Sequence, residues 1–331
     1  DATVTCVTPP AAEHTGAAPA PVVDVHVRNH AGGVLSTSAA RFQYVDTPTV
    51  ASVFPKSGPS VGGTALHIHG TGLVVHAQQV WCVFSSASGQ QLAAAKVSSS
   101  TAAECETPSL PVGVATVGLQ LDHVVAAATS DVAERSFHAH APVSVSSVSP
   151  GFGSVLGGTK VEVRGDGFVS SGDAACLFGD ADAVPATVES SSLATCVVPA
   201  GRTEQIGSTV PVHLALNGRD VVPSPGIGFE YAAPVFVGSL FPAATQPGVP
   251  VELLVSGSGF RDASSLACRF TPANGDEVAL VPAYFHSITE LACTMPAMTS
   301  DVAVAVTVNG VDFSATALTV VVTAEGSGSA T

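Results

Sequence analysis

Seven cysteines and a few paired histidines are the residues of this chain that carry chemistry of their own. Cys82, Cys176 and Cys268 stand in WCVF, ACLF and ACRF. Cys105, Cys196 and Cys293 follow in AECETP, ATCVVP and LACTMP, at separations of 23, 20 and 25 residues. Three pairs in one register predict three disulfides, Cys82–Cys105, Cys176–Cys196 and Cys268–Cys293. The alternative is buried free thiols. Paired sulfurs are not nucleophiles, and disulfides persist in oxidising compartments, so the expected location is extracellular or at the cell surface. Cys6, in VTCVTPP, is left over from an odd count and is expected to be unpaired or joined to another chain.

The remaining chemical candidates are weak. His67 and His69 alternate along one apparent strand, as do His138 and His140. Four imidazoles can in principle hold a metal, but no Cys or carboxylate spacing accompanies them. Solvated outer-face histidines are expected, with no metal and no cofactor. Arg164-Gly165-Asp166 spells an integrin tripeptide, yet it falls on a repeated Gly-x-Gly turn, and the turn reading is preferred. Trp81 is expected to pack around the disulfide of Cys82 as core. No nucleophile elbow, zinc-protease helix or phosphate loop occurs, so no enzyme activity is expected.

Composition narrows the partners. The formal net charge is −15, with 26 acidic and 11 basic residues, and the basic ones are not clustered. That disfavours nucleic acid. No apolar run approaches the roughly 20 residues of a membrane helix. A secreted protein whose leader has been removed would open as this chain does, on Asp1. Asn-x-Ser/Thr sequons are absent, whereas Ser- and Thr-rich stretches such as VSSSTAA and ESSSLATC are compatible with O-linked glycans.

The elements that must position these residues repeat. PTVASVFPKSGPSVGGTALHIHGTGL (48–73), APVSVSSVSPGFGSVLGGTKVEVRGDGF (141–168) and APVFVGSLFPAATQPGVPVELLVSGSGF (233–260) share one plan. Each has an alternating strand, a Pro, a turn, a second alternating strand and Gly-x-Gly. The first glycines, Gly70, Gly165 and Gly257, lie 95 and 92 residues apart. That period is too long for a solenoid and suits a string of β-sandwiches. After the second cysteines of the last two copies, Cys196 and Cys293, Asn217-Gly218 and Asn309-Gly310 predict tight hairpin turns.

The residues PKSGPSVGGTALHIHGTGL, followed by C-x-F and C-x-x-P, resemble the IPT/TIG family of immunoglobulin-like domains. The third copy departs, since QPGVPVE lacks Gly-Gly-Thr, which puts its first turn in question. The resemblance implies an all-β chain of tandem immunoglobulin-like sandwiches of the E-set type. The implied organisation is the back half of a domain at 1–46, domains at 47–141, 142–232 and 233–324, and a Gly/Ser tail at 325–331. Cys6 then aligns with a second cysteine whose partner would precede Asp1. Three explanations stay open for that half-domain: a piece of a longer array of the same chain, completion by another subunit, or degeneracy. Order in the Gly/Ser tail would favour assembly between copies by strand addition. The leading functional expectation is a structural building block of a surface filament, appendage or stalk that self-assembles. An adhesin or receptor ectodomain binding a protein or glycan is the alternative, and an accessory region of a secreted enzyme the second.

Overall fold

A computed structural model describes residues 5–7, 22–28, 33, 40–44, 48–73, 79–121, 124–128, 131–170 and 172–323. The Gly/Ser tail and most of residues 1–46 lie outside them. Regular structure among the described residues is strand, with two short 3-10 turns at Val132–Arg135 and Thr203–Gln205. The chain divides into two compact units, Asp1–Ala139 and His140–Thr331.

The first unit carries a two-stranded element and one sandwich. In the element, Val22–Val25 runs antiparallel to Ala40–Gln43, with Val22 opposite Gln43 and Val25 opposite Ala40. Every residue of Val22–Val25 is exposed. The sandwich places Thr49–Phe54, Ala65–Thr71 and Ala102–Glu106 in one sheet. Val80–Ser86, Gly113–Leu121 and Ser136–His140 form the other. The second unit repeats the plan twice. Ser144–Ser149, Lys160–Asp166 and Leu193–Val197 oppose Ala175–Phe178, Thr209–Ala215 and Gly228–Ala232. Phe236–Phe241, Val251–Ser258 and Glu290–Met295 oppose Ala267–Pro272, Val302–Thr307 and Leu318–Val322.

In each sandwich one strand belongs to both sheets. Gly89–Ser99 pairs with Val80–Ser86 through Ala94, then with Ala102–Glu106 from Ala95 onward. Val184–Ser190 changes sheets after Pro185, and Ala279–Ser287 after Pro282. Proline has no N–H to give a ladder, so it fits the residue where a strand leaves one sheet for the other. The cysteines sit at this corner. Cys82 lies opposite Ala93 and Cys105 opposite Ala95. Cys176 and Cys196 face Val184 and Ala186; Cys268 and Cys293 face Val281 and Ala283. Each pair is bonded, with Cα separations of 6.5, 6.4 and 6.3 Å, inside the range a disulfide spans.

Around each disulfide the inward residues close a core. Phe84 and Phe137 fill the first, Phe178, Phe229 and Tyr231 the second, and Phe270 and Met295 the third. Phe229 meets Phe178 and Tyr231 edge-on at 6.0 and 5.5 Å. Burial of each such ring contributes roughly 1.5–3 kcal/mol. Burial also raises the Tyr231 phenol pKa, and its hydroxyl donates to the Pro199 carbonyl at 3.1 Å.

The two glycines of Gly-x-Gly have different jobs. A Cβ on Gly70, Gly165 or Gly257 would strike the carbonyl oxygen of Thr49, Ser144 or Phe236. The first strands bulge there, between Val50 and Ser52, Val145 and Ser147, and Val237 and Ser239. The second glycines, Gly72, Gly167 and Gly259, have φ of 67°, 78° and 78°, which glycine adopts without a steric penalty. The third copy, lacking Gly-Gly-Thr, makes its first turn with Gly248 at φ 75° and a backbone bond from Gly248 to the Met298 carbonyl.

Two stability outcomes follow. Each disulfide closes a loop worth about 3 kcal/mol, so Cys176→Ala with Cys196→Ala should lower the unfolding midpoint of the second sandwich, read by calorimetry. Gly165→Ala should cost about 1–3 kcal/mol through the clash with Ser144, read by urea unfolding.

Candidate functional site: the clasp within the second unit

The polar residues that come together most tightly lie where the two sandwiches of the second unit meet. They begin as a local motif. Asn217-Gly218-Arg219-Asp220 and Asn309-Gly310-Val311-Asp312 fill corresponding loops. The Asn217 side-chain oxygen accepts from the N–H of Arg219 at 3.1 Å and of Asp220 at 2.8 Å. Its Nδ2 donates to Asp220 Oδ2 at 2.8 Å. Asn309 does the same, accepting from Val311 at 3.1 Å and Asp312 at 2.8 Å and donating to Asp312 Oδ2 at 2.9 Å. Both asparagines are buried. These are not the two-residue hairpin turns expected from Asn-Gly. The flanking pairs are Ala215–Val221 and Thr307–Phe313, leaving residues 216–220 and 308–312 in the loops. The asparagine acts through its side chain, an Asx turn, and only the glycine is left-handed, at φ 72° and 79°.

In the third sandwich this loop reaches the second. Thr159 Oγ1 donates to Asp312 Oδ2 at 2.6 Å, and Asn309 Nδ2 donates to the Phe152 carbonyl at 3.1 Å. Thr159 is fully buried, and Gly153 makes room for it, since a Cβ there would collide with its hydroxyl. Arg261 closes the other side. Its guanidinium donates to both Glu230 oxygens at 2.7 and 2.9 Å and lies 4.6 Å above the Phe152 ring. The Glu230 hydrogen bonds raise the Arg261 pKa, with burial working in the opposite direction. Phe152 itself packs against the core of the third sandwich. A cleft of about 400 Å³ opens beside the clasp, lined in part by Leu156, Pro234, Asp312 and Phe313. Asp312 already accepts two hydrogen bonds, so the arrangement joins two bodies rather than presenting a free acid or base.

The residues singled out from sequence are otherwise dispersed. Cys6 is free and exposed. His67 is half-buried, with Nδ1 3.2 Å from Glu104 Oε1, and His69 is exposed beside it on the strand. His140 departs from the solvated reading: it is buried, its Nδ1 2.9 Å from the Ala141 carbonyl oxygen. Among the described residues no three His, Cys, Asp or Glu side chains form a metal-binding group. Arg164-Gly165-Asp166 is strand, with Gly165 buried and Arg164 donating to Glu162 at 2.7 Å. Trp81 also departs from expectation. It neighbours buried Cys82, so alternation turns it to the outer face between Ala94 and Gln120, where it is half-buried. The clasp was missed because Thr159 and Asp312 are 153 residues apart. The repeated Asn-Gly-x-Asp was its visible trace.

The family described as IPT/TIG domain matches residues 48–133, 142–231 and 234–322. The chain belongs to the IPT/TIG family. Its three sandwiches are three IPT/TIG repeats, and the clasp binds the second to the third. The chain is 26% identical over 257 residues to Plexin-2 of Caenorhabditis briggsae, covering 76% of this chain and 14% of that protein. It is 27% identical over 288 residues to human Fibrocystin-L, covering 84% of this chain and 6% of that protein. It thus spans only a small part of the curated relatives it matches. Among solved structures it is similar to the full extracellular region of plexin A4, at 16% identity and a TM-score of 0.41, covering 76% of this chain and 21% of that one.

Removing the clasp should uncouple the two repeats. A hydrogen bond to a charged group contributes about 1.5–3 kcal/mol and a partly exposed ion pair about 1 kcal/mol or less. Thr159→Val with Arg261→Ala should therefore resolve an additional calorimetric transition at lower temperature. An unchanged trace would mean that the linker and apolar contacts hold the repeats together without these residues.

Proposed function

We propose that this chain is a semi-rigid segment of an extracellular, receptor- or adhesin-type ectodomain, which spaces and presents binding surfaces without catalysing a reaction. The observation that carries this reading is the clasp. A bidentate Arg261–Glu230 pair and a part-buried Thr159–Asp312 hydrogen bond turn two repeats into one lever. Three disulfides fit an oxidising exterior. Similarity to plexin and Fibrocystin-L supports an ectodomain over a filament subunit. So do the bulges on the edge strands Ser144–Ser149 and Phe236–Phe241, since a bulged edge is a poor template for adding another strand.

A filament keeps one observation in its favour. The Val22–Val25 and Ala40–Gln43 pair exposes Val22 and Phe42 with no second sheet over it among the described residues. Two measurements separate the readings. Sedimentation and electron microscopy of the concentrated chain should show monomers, and ordered polymers would reverse the choice. On intact cells, an antibody to the third repeat should reach its epitope without permeabilisation; inaccessibility would overturn the ectodomain reading.

A further inference from the structure

The outer face of the third repeat differs in kind from those of the other two. Backbone register aligns one rung across four strands in each repeat. In the first the rung reads Phe54, His67, Glu104, Lys96. In the second it reads Ser149, Glu162, Thr195, Thr187. In the third it reads Phe241, Leu254, Ala292, Tyr284. The flanking inward residues Leu253, Val255, Leu291 and Cys293 are fully buried, so this rung faces outward. Phe241 is 74% and Tyr284 69% exposed, while Ala292 beneath them is only 3% exposed. Pro282, two residues before Tyr284, is exposed and marks the corner where that strand passes to the other sheet. Two aromatic rings thus flank an aliphatic floor two strands wide, Leu254 and Ala292, a composition enriched at protein interfaces.

Charge says what covers it. The third repeat, residues 234–323, has seven carboxylates and two arginines. Both arginines are committed elsewhere, Arg261 to Glu230 and Arg269 over the Phe313 ring at 3.9 Å. Glu252 and Glu290 stand two residues from Leu254 and Ala292 on the same outer face, and neither enters an ion pair among the described residues. The strip is apolar at its centre and negative at its rim. A second copy of a chain with net charge −15 would bring like charge to that rim. We propose that this face docks a protein partner whose own surface carries aromatic or aliphatic side chains rimmed by Lys and Arg. The inference deepens the ectodomain reading by naming a binding face on it.

A displayed library of random peptides, selected on the purified chain, tests it. Enriched sequences should interleave Lys or Arg with Trp, Tyr or Leu. Their binding should fall tenfold or more in Phe241→Ser with Tyr284→Ser and weaken with added salt. Glu252→Lys with Glu290→Lys keeps the apolar floor and should shift enrichment toward acidic sequences. The proposal is overturned by enrichment indifferent to both double variants. It is equally overturned by self-association that Phe241→Ser with Tyr284→Ser abolishes, which would assign the face to a second copy. Either failure leaves the ectodomain reading standing, because surface exposure on intact cells is measured independently.

Discussion

A strand that crosses from one sheet to the other makes a corner, and the rest of each repeat depends on that corner holding. The two cysteines lie opposite strand residues only two apart, one on each side of the crossing. The bond therefore bridges the sheets at the place where backbone pairing changes partner. With the corner held, neighbouring strands are in register, and Phe84, Phe178 and Phe270 share the buried core with the cysteines. A chain that is only 11% charged has little surface electrostatics to draw on, and exposed ion pairs contribute about 1 kcal/mol or less in any case. Covalent closure and apolar burial therefore dominate the stability of each repeat.

What was legible in the sequence is what backbone geometry makes local. Gly-x-Gly could be read because one position admits no Cβ and the next needs positive φ. The cysteine spacing could be read because the corner sets the length of chain between them. Trp81 was misplaced because adjacency to a cysteine suggests contact, whereas a strand turns adjacent residues to opposite faces. Asn217 and Asn309 were misread because Asn-Gly marks two devices alike: a left-handed turn and an Asx turn anchored by the side chain. Only the buried asparagine with its Asp three residues on separates them.

The clasp was illegible for a different reason. A threonine, an aspartate, an arginine and a glutamate are unremarkable types, and nothing in their spacing predicts that two sandwiches will meet there. The motif Asn-Gly-x-Asp orders the loop within its own repeat. Its effect between repeats arises because Asp312 has acceptor capacity left after Asn309 is satisfied, and Thr159 lies within reach of it.

The same separation runs through the outer faces. Inward positions of the three repeats stay apolar even where their size changes, as at Ala103, Ala194 and Leu291, because each must close a core around its disulfide. Outward positions on the matched rung are under no such constraint, and they run from charged, to polar, to aromatic and aliphatic. A rung that needed only solubility would stay polar, as it does in the second repeat. Exposing Phe241 and Tyr284 to water carries a solvation cost that the sandwich does not require, since its own core is complete without them. That cost is recovered only when something covers the strip, which places recognition on the face where the third repeat departs from its neighbours.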